Sequence, residues 1–313
     1  MNFTHEDPRA GDAAALEPFE LSPRDAEFFC AQPFHWVGVA IGGGAACGFS
    51  DEEAAALFAA RYRHLPCERA SRRFYCGRDG AGSTVFWSED NAAFRWNRGT
   101  PSPGTIAFLA DAVVTTLCFG SDAQTVTFHA AALAARDGAF ALVGTSGSGK
   151  STTAIAAALA GYGLYSDEFC RTSPAGVEAF PRSLNLRPGG LELLARSAFA
   201  GRVMRARFRA RAANGWPNAG YDDVLGSARP PDRKPLRHIF RIAGRGARPA
   251  MVPTTRYDLL RHIAPYARTA AVSAGRAAEL LGALAFARCY ELTLGDPDAT
   301  VRAIAAIVGP ARP

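Results

Sequence analysis

The stretch from Phe140 to Phe169 reads FALVGTSGSGKSTTAIAAALAGYGLYSDEF. Within it Gly144, Thr145, Ser146, Gly147, Ser148, Gly149, Lys150 and Ser151 fit the spacing G-x-x-x-x-G-K-[ST] in full. Glycines at those places let the backbone curl so that successive N–H groups face phosphate oxygens. Lys150 is placed to reach a terminal phosphate, the Ser151 hydroxyl to ligate Mg²⁺, and Thr152 to follow them at the bound group. The flanks supply the context that such a loop needs. Phe140 to Val143 is a short apolar run that reads as a buried strand, and the alanine-rich run from Ser151 to Ala160 reads as a helix. That helix adds the positive end of its dipole to the same anion. Of 35 basic residues only Lys150 and Lys234 are lysine, so the loop position keeps a compact ammonium in a chain otherwise given to arginine.

About ten helical residues carry the chain roughly 15 Å away from the loop. Gly161-Tyr162-Gly163 turns it, and a short strand from Leu164 to Asp167 returns it by roughly 13 Å. Asp167 and Glu168 are therefore expected beside the loop, as Mg²⁺ ligands or, for Asp167, as acceptor of a hydroxyl proton. The alternative is a solvated acidic pair at a strand end.

Composition bounds the rest. The chain has 313 residues, 48% hydrophobic and 20% charged, which suits a globular protein with two domains. No uncharged apolar run approaches about 18 residues, so no membrane partner is expected. The polar, acidic N-terminus MNFTHEDPRAGD does not read as a signal peptide, and a cytoplasmic location is the expectation. The seven cysteines lack C-x-x-C spacing and read as reduced thiols, without a zinc site. A net charge of +6 admits an anionic partner. Five arginines cluster between Arg202 and Arg211, either as a solvated face or as a site for phosphate or an acidic substrate. Nucleic acid is suggested by charge alone and is not expected as a partner.

Residues 1–17 read as a disordered tail and 18–119 as a small α+β module. In that module Ser22-Pro23-Arg24-Asp25 and Ser50-Asp51-Glu52-Glu53 open helices, Phe34 to Ile41 is a strand, and three short strands lie between Arg73 and Trp96. A helix follows from Thr105 to Phe119, and Trp36, Phe86, Trp87 and Trp96 are expected in the core. Residues 120–313 form the second domain, which opens with a strand from Thr125 to Ala135. Arg136-Asp137-Gly138 then turns directly into the glycine-loop strand. Beyond the acids come an extended segment with Arg182 and Arg187, a helix from Gly190 to Arg211 and a long loop from Ala212 to Pro235 holding Tyr221, Asp222 and Asp223. Further expected elements are a strand from Leu236 to Ile242, helices from Arg256 to Ile263 and Ala274 to Ala287, and a strand from Cys289 to Leu294. A last helix is capped by Asp296 with Pro297 at its first position.

His129, Gly144 to Ser151 and Asp167-Glu168, in this order and spacing, resemble the catalytic domain of HPr kinase/phosphorylase. The resemblance covers roughly 120–310 and is specific over His129 to Phe169. It implies an α/β phosphate-loop kinase fold related to phosphoenolpyruvate carboxykinase, with ATP and Mg²⁺ as cofactors. It also implies His129, Lys150 and Asp167 as catalytic groups, and Ser151, Asp167 and Glu168 as metal ligands. Glu168 stands where the family usually has aspartate, and the family's glutamate-arginine-glycine segment has no clear counterpart. The segment Phe180 to Arg187 looks more like divergent relatives found beside peptide-modification genes, which phosphorylate a serine of a small precursor. The expected activity is therefore a kinase acting on a serine hydroxyl of a small protein or peptide, with Arg182 and Arg187 as phosphate or acceptor contacts. A nucleotide-dependent sensor or ATPase without a phosphoacceptor is the alternative. The family's main branch is hexameric, which leaves a homo-oligomer open.

Overall fold

The computed structural model describes residues 16–41, 43–90, 92–120, 125–184, 186–214, 231–263, 282 and 284–311. It is a mixed α/β structure whose chain divides into two compact units, Met1–Asp122 and Ala123–Pro313.

The first unit holds strands β1 (Leu16–Phe19), β2 (His35–Val39), β3 (Ala45–Phe49), β4 (Arg72–Arg78), β5 (Thr84–Ser88) and β6 (Ala93–Trp96) in one sheet of order β1-β6-β5-β4-β3-β2. Helices α1 (Pro23–Cys30), α2 (Glu52–Tyr62) and α3 (Pro103–Gly120) accompany it. Leu16 and Glu17, expected in the tail, pair with Trp96 and Arg95 as an edge strand, and residues 1–15 lie outside the described residues. Asp51, not Ser50, caps α2, accepting from the Ala54 amide at 2.7 Å. The apolar helix α3 carries one acid, Asp111. It is buried against Arg61, whose Nη1 donates at 2.7 Å, and against the Tyr62 hydroxyl, so its charge is paired. Phe86 and Trp96 are buried as expected, whereas Trp36 is half exposed on the edge strand β2, beside Tyr75 and beneath Arg73.

The second unit is built on eight strands: β7 (Val126–Ala134), β8 (Ala139–Val143), β9 (Gly163–Ser166), β10 (Phe169–Ser173), β11 (Gly176–Glu178), β12 (Leu236–Arg245), β13 (Ala250–Thr254) and β14 (Arg288–Leu294). Their order is β11-β10-β7-β8-β12-β14-β13, with β9 also paired to β7. Among the described residues of this unit only β8, β12 and β14 run parallel, and every residue of β8 is buried, as a strand covered on both faces requires. Its side chains alternate between two cores. Phe140 and Leu142 join Ala154, Leu191, Phe208 and Ile304 of α4 (Lys150–Leu159), α5 (Pro188–Leu194), α6 (Arg202–Asn214) and α8 (Pro297–Val308). Ala139, Ala141 and Val143 pack with Leu259 and Ile263 of α7 (Arg256–Ile263). The hairpin turn between β7 and β8 is fastened by Lys234, the chain's other lysine, whose ammonium donates to the carbonyls of Ala135, at 2.6 Å, and Arg136.

Several expectations need correction here. The helix expected from Gly190 to Arg211 is two helices, broken where Asp298 accepts from the Ser197 hydroxyl at 2.5 Å and the Ala198 amide at 2.6 Å. Helix α6 continues to Asn214, into the stretch expected as a long loop, and residues 215–230 of that stretch lie outside the described residues. Strands β3, β10 and β13 have no counterpart in the sequence reading, and β11 falls at the start of the segment from Val177 to Leu186 expected to be extended. Tyr221, Asp222 and Asp223, most of the helix expected from Ala274 to Ala287, Gly42 and Asn185 lie outside the described residues. The last helix is as expected, with Asp296 capping it and Pro297 first. All seven cysteines are free thiols. No helix among the described residues is long and apolar enough to cross a membrane.

Candidate functional site

The loop of residues 144–149 joins the end of β8 to the start of α4. Gly147 and Gly149 have φ of 78° and 110°, the left-handed region that favours glycine. Space also excludes side chains here: a Cβ on Gly149 would lie 2.7 Å from Leu294 Cδ1, and one on Gly144 would lie 2.7 Å from Ser148 Oγ. Ser148 is thus folded inward against Gly144, and its hydroxyl oxygen is buried without a hydrogen-bond partner.

Lys150 is the first residue of α4 and only 5% exposed. Its ammonium bends back over the loop, donating to the carbonyls of Gly144 at 2.7 Å and Thr145 at 3.0 Å. Burial lowers its pKa to about 8; the negative charge of Asp167 pulls the other way and Arg187 adds to the depression. Ser151 follows it, half-buried. The Thr152 hydroxyl turns toward the first turn of α5, where a Cβ on Gly190 would come within 2.6 Å of it.

The acids arrive through β7. Strand β9 lies antiparallel on β7, with Ser166 opposite Ala132, and the chain then re-pairs with the same strand as β10, with Phe169 opposite His129. Asp167 and Glu168 are the crossover between the two pairings. The Ser166 hydroxyl holds it, accepting from the amides of Glu168 at 3.2 Å and Phe169 at 3.1 Å. Ala130 donates to the Glu168 carbonyl at 3.0 Å, and Ala130 is also the register partner of Val143, the last residue of β8. The acidic turn and the glycine loop therefore leave the sheet at one level, about 10 Å apart across two strand spacings. Asp167 is buried. His129, half-buried, alternates with Phe128 and Ala130 and so shares the sheet face of Ala131 and Leu133, the face that carries α4. Its ring lies 6.4 Å from that of Phe169.

Glu168 and Arg182 have a relation that the sequence does not suggest. Their side chains form an ion pair, with the guanidinium 3% exposed and set over the Phe169 ring at 5.3 Å. Glu168, expected as a metal ligand, is thus ion-paired and partly exposed, and Arg182, expected as a phosphate or acceptor contact, is buried. Arg187 differs. It is exposed at the N-cap of α5, and its Nη2 donates to Ser146 Oγ at 3.2 Å. The arginine-rich helix α6 seats itself through Phe208 and leaves Arg202, Arg207 and Arg209 exposed.

Arg245 also belongs to this site and was missed. The sequence pattern ends its strand at Ile242, but β12 runs on to Arg245, whose guanidinium lies over Gly149. The signal that could have found it is positional, since a strand parallel to the loop strand ends where the loop begins.

No family model matches the chain, and no curated protein matches it significantly. The chemistry of the site therefore rests on its own residues. Lys150, Arg187 and Arg245 gather at one loop with Asp167 as a nearby buried acid, an arrangement suited to an anion. Among the described residues no set of three His, Cys, Asp or Glu side chains converges on a metal position. Mg²⁺ needs no such set, because it is held by one or two protein oxygens together with substrate phosphates and waters. Ser151 and Asp167 fit that requirement.

Proposed function

We propose that the chain is an ATP- and Mg²⁺-dependent kinase of the HPr kinase/phosphoenolpyruvate carboxykinase type that phosphorylates a serine hydroxyl of a small protein or peptide. The observation that carries this reading is the convergence of the glycine loop, buried Lys150 and buried Asp167 at one end of the sheet. The loop amides and the Lys150 ammonium bind the phosphates and offset the charge that spreads over the transferred group. Asp167 accepts the proton of the serine hydroxyl as its oxygen bonds to the γ-phosphorus and the bond to the β-phosphate oxygen breaks, releasing ADP. His129, on the same face as α4, orients the phosphoryl group. Ser151 and Asp167 would hold Mg²⁺, which would supply further charge neutralisation at the phosphates. Glu168 acts through Arg182, fixing the turn that carries Asp167.

The test is incubation with Mg-ATP and small proteins or peptides encoded by neighbouring genes, with HPr alongside, read as intact masses. A gain of one phosphate with the wild type and none with Asp167→Asn supports the kinase. Hydrolysis of ATP at full rate with no acceptor modified moves the reading to a nucleotide-dependent sensor or ATPase.

A further inference from the structure

The structure assigns Arg245 a role in binding: we propose that it grips a polyphosphate chain from the Gly149 end of the loop while Arg187 grips it from the Ser146 end. This deepens the proposed function and rests on it, naming the ligand class as a tri- or tetra-anionic polyphosphate such as a nucleoside triphosphate.

The argument begins with register. Strand β12 runs parallel to β8, with Arg241 opposite Val143, where β8 stops. It continues for four residues more, about 13 Å of extended chain, to Arg245, which pairs with Leu294 of β14. Those two side chains meet the loop at one point: a Cβ on Gly149 would lie 2.7 Å from Leu294 Cδ1 and 3.1 Å from Arg245 Nη2. The approach is open because Gly149 has no side chain.

The partners of the arginines separate a structural role from a binding role. Arg241, four residues earlier on the same strand, is paired with Glu291. Arg182 is paired with Glu168. Arg245 is exposed and has no hydrogen-bond or ion-pair partner among the described residues. A guanidinium carries five donors in a planar fork suited to phosphate oxygens. Arg187 spends one donor on Ser146 Oγ, at 3.2 Å, and is likewise exposed. With Lys150 between them, three cations face one loop whose fourth charged neighbour is Asp167. Such a cluster repels itself until an anion enters, and arginines at the two ends of the loop suit a chain of phosphates that runs along it.

The test is equilibrium titration of the full-length protein with Mg-ATP, inorganic tripolyphosphate and adenosine, comparing wild type, Arg245→Gln, Arg245→Lys and Lys150→Met. Arg245→Gln is expected to weaken ATP and tripolyphosphate alike by about 10- to 100-fold, the range for a hydrogen bond to a charged group, with adenosine unchanged. Arg245→Lys recovers only part of this, because an ammonium cannot make the forked contact. The melting temperature of Arg245→Gln is expected to match the wild type. If Arg245→Gln binds ATP as tightly as the wild type while Lys150→Met does not, Arg245 is a bystander and the proposal fails with the kinase reading intact. If ATP weakens but tripolyphosphate does not, the contact is to base or ribose and the phosphate assignment is wrong. If the wild type binds neither polyphosphate, both this inference and the reading beneath it fall.

Discussion

Replacing Lys150 by methionine should change stability in a way that depends on pH, and the structure fixes the sign. The folded pKa is lowered from 10.5 to about 8, chiefly by burial. A lowered pKa for a base means that the unfolded chain binds more protons between the two values, so stability rises with pH across that window. At pH 7 the folded protein bears about 3 kcal/mol for keeping the ammonium charged in its enclosed place; at pH 9.5 it bears about half of that. Because Lys150 is only 5% exposed, solvent screening takes little from this figure. Methionine also removes the hydrogen bonds to the Gly144 and Thr145 carbonyls, but that loss does not vary with pH. Buried thiols such as Cys76 and Cys170, whose pKa values burial raises, titrate equally in both proteins and cancel in the difference. Urea unfolding of both proteins at pH 7, 8.5 and 9.5 is the assay. Relative to Lys150→Met, the wild type should gain roughly 2 kcal/mol from pH 7 to 9.5. A difference that stays flat within about 0.5 kcal/mol would refute the reasoning, because it would mean that Lys150 keeps its ordinary pKa.

Three further outcomes follow from the same geometry. A polyphosphate bound at the loop should recharge Lys150, so calorimetry in buffers of different ionisation enthalpy should show uptake of about half a proton at pH 8 and about a tenth at pH 7; binding heats that do not depend on the buffer would count against a charged ligand beside Lys150. Glu168→Gln should cost about 3 kcal/mol in urea unfolding, because it removes the carboxylate paired with the buried Arg182 guanidinium, and the double variant with Arg182→Met should recover part of it; a neutral Glu168→Gln would show that the pair is not buried in solution. Gly149→Ala should cost about 1–3 kcal/mol and abolish nucleotide binding, because it forces a side chain into the left-handed region against Leu294. Gly189→Ala, which meets open space, should change neither; equal effects at the two glycines would remove the argument from loop geometry.

The strand, glycine loop and helix were legible because each is a local matter: apolar run, glycine spacing, alanine-rich run. The same is true of Asp296 and Pro297 at the start of α8, where a side-chain cap and a fixed φ act within one turn. Strands β3 and β10 were not legible, because Ala-Ala-Cys-Gly-Phe and Phe-Cys-Arg-Thr-Ser lack a strong two-residue alternation and are held by pairing with strands further along or back in the chain. The break between α5 and α6 was hidden for the same reason, since Asp298, which holds it, lies about a hundred residues further along the chain.

The sequence by itself determined the glycine loop, the place of Lys150 at the head of the helix and the arrival of Asp167 beside it, because turn chemistry and element lengths set these within some thirty residues. Tertiary structure alone decided which charges remain open. Arg182 and Arg187 stand on one segment, yet Arg182 is buried in an ion pair with Glu168 while Arg187 is exposed at the loop. Arg241 and Arg245 lie on one strand, yet Glu291 takes only Arg241. Charge pairing depends on which chain segments the sheet register brings within a few ångströms, and no local pattern encodes that.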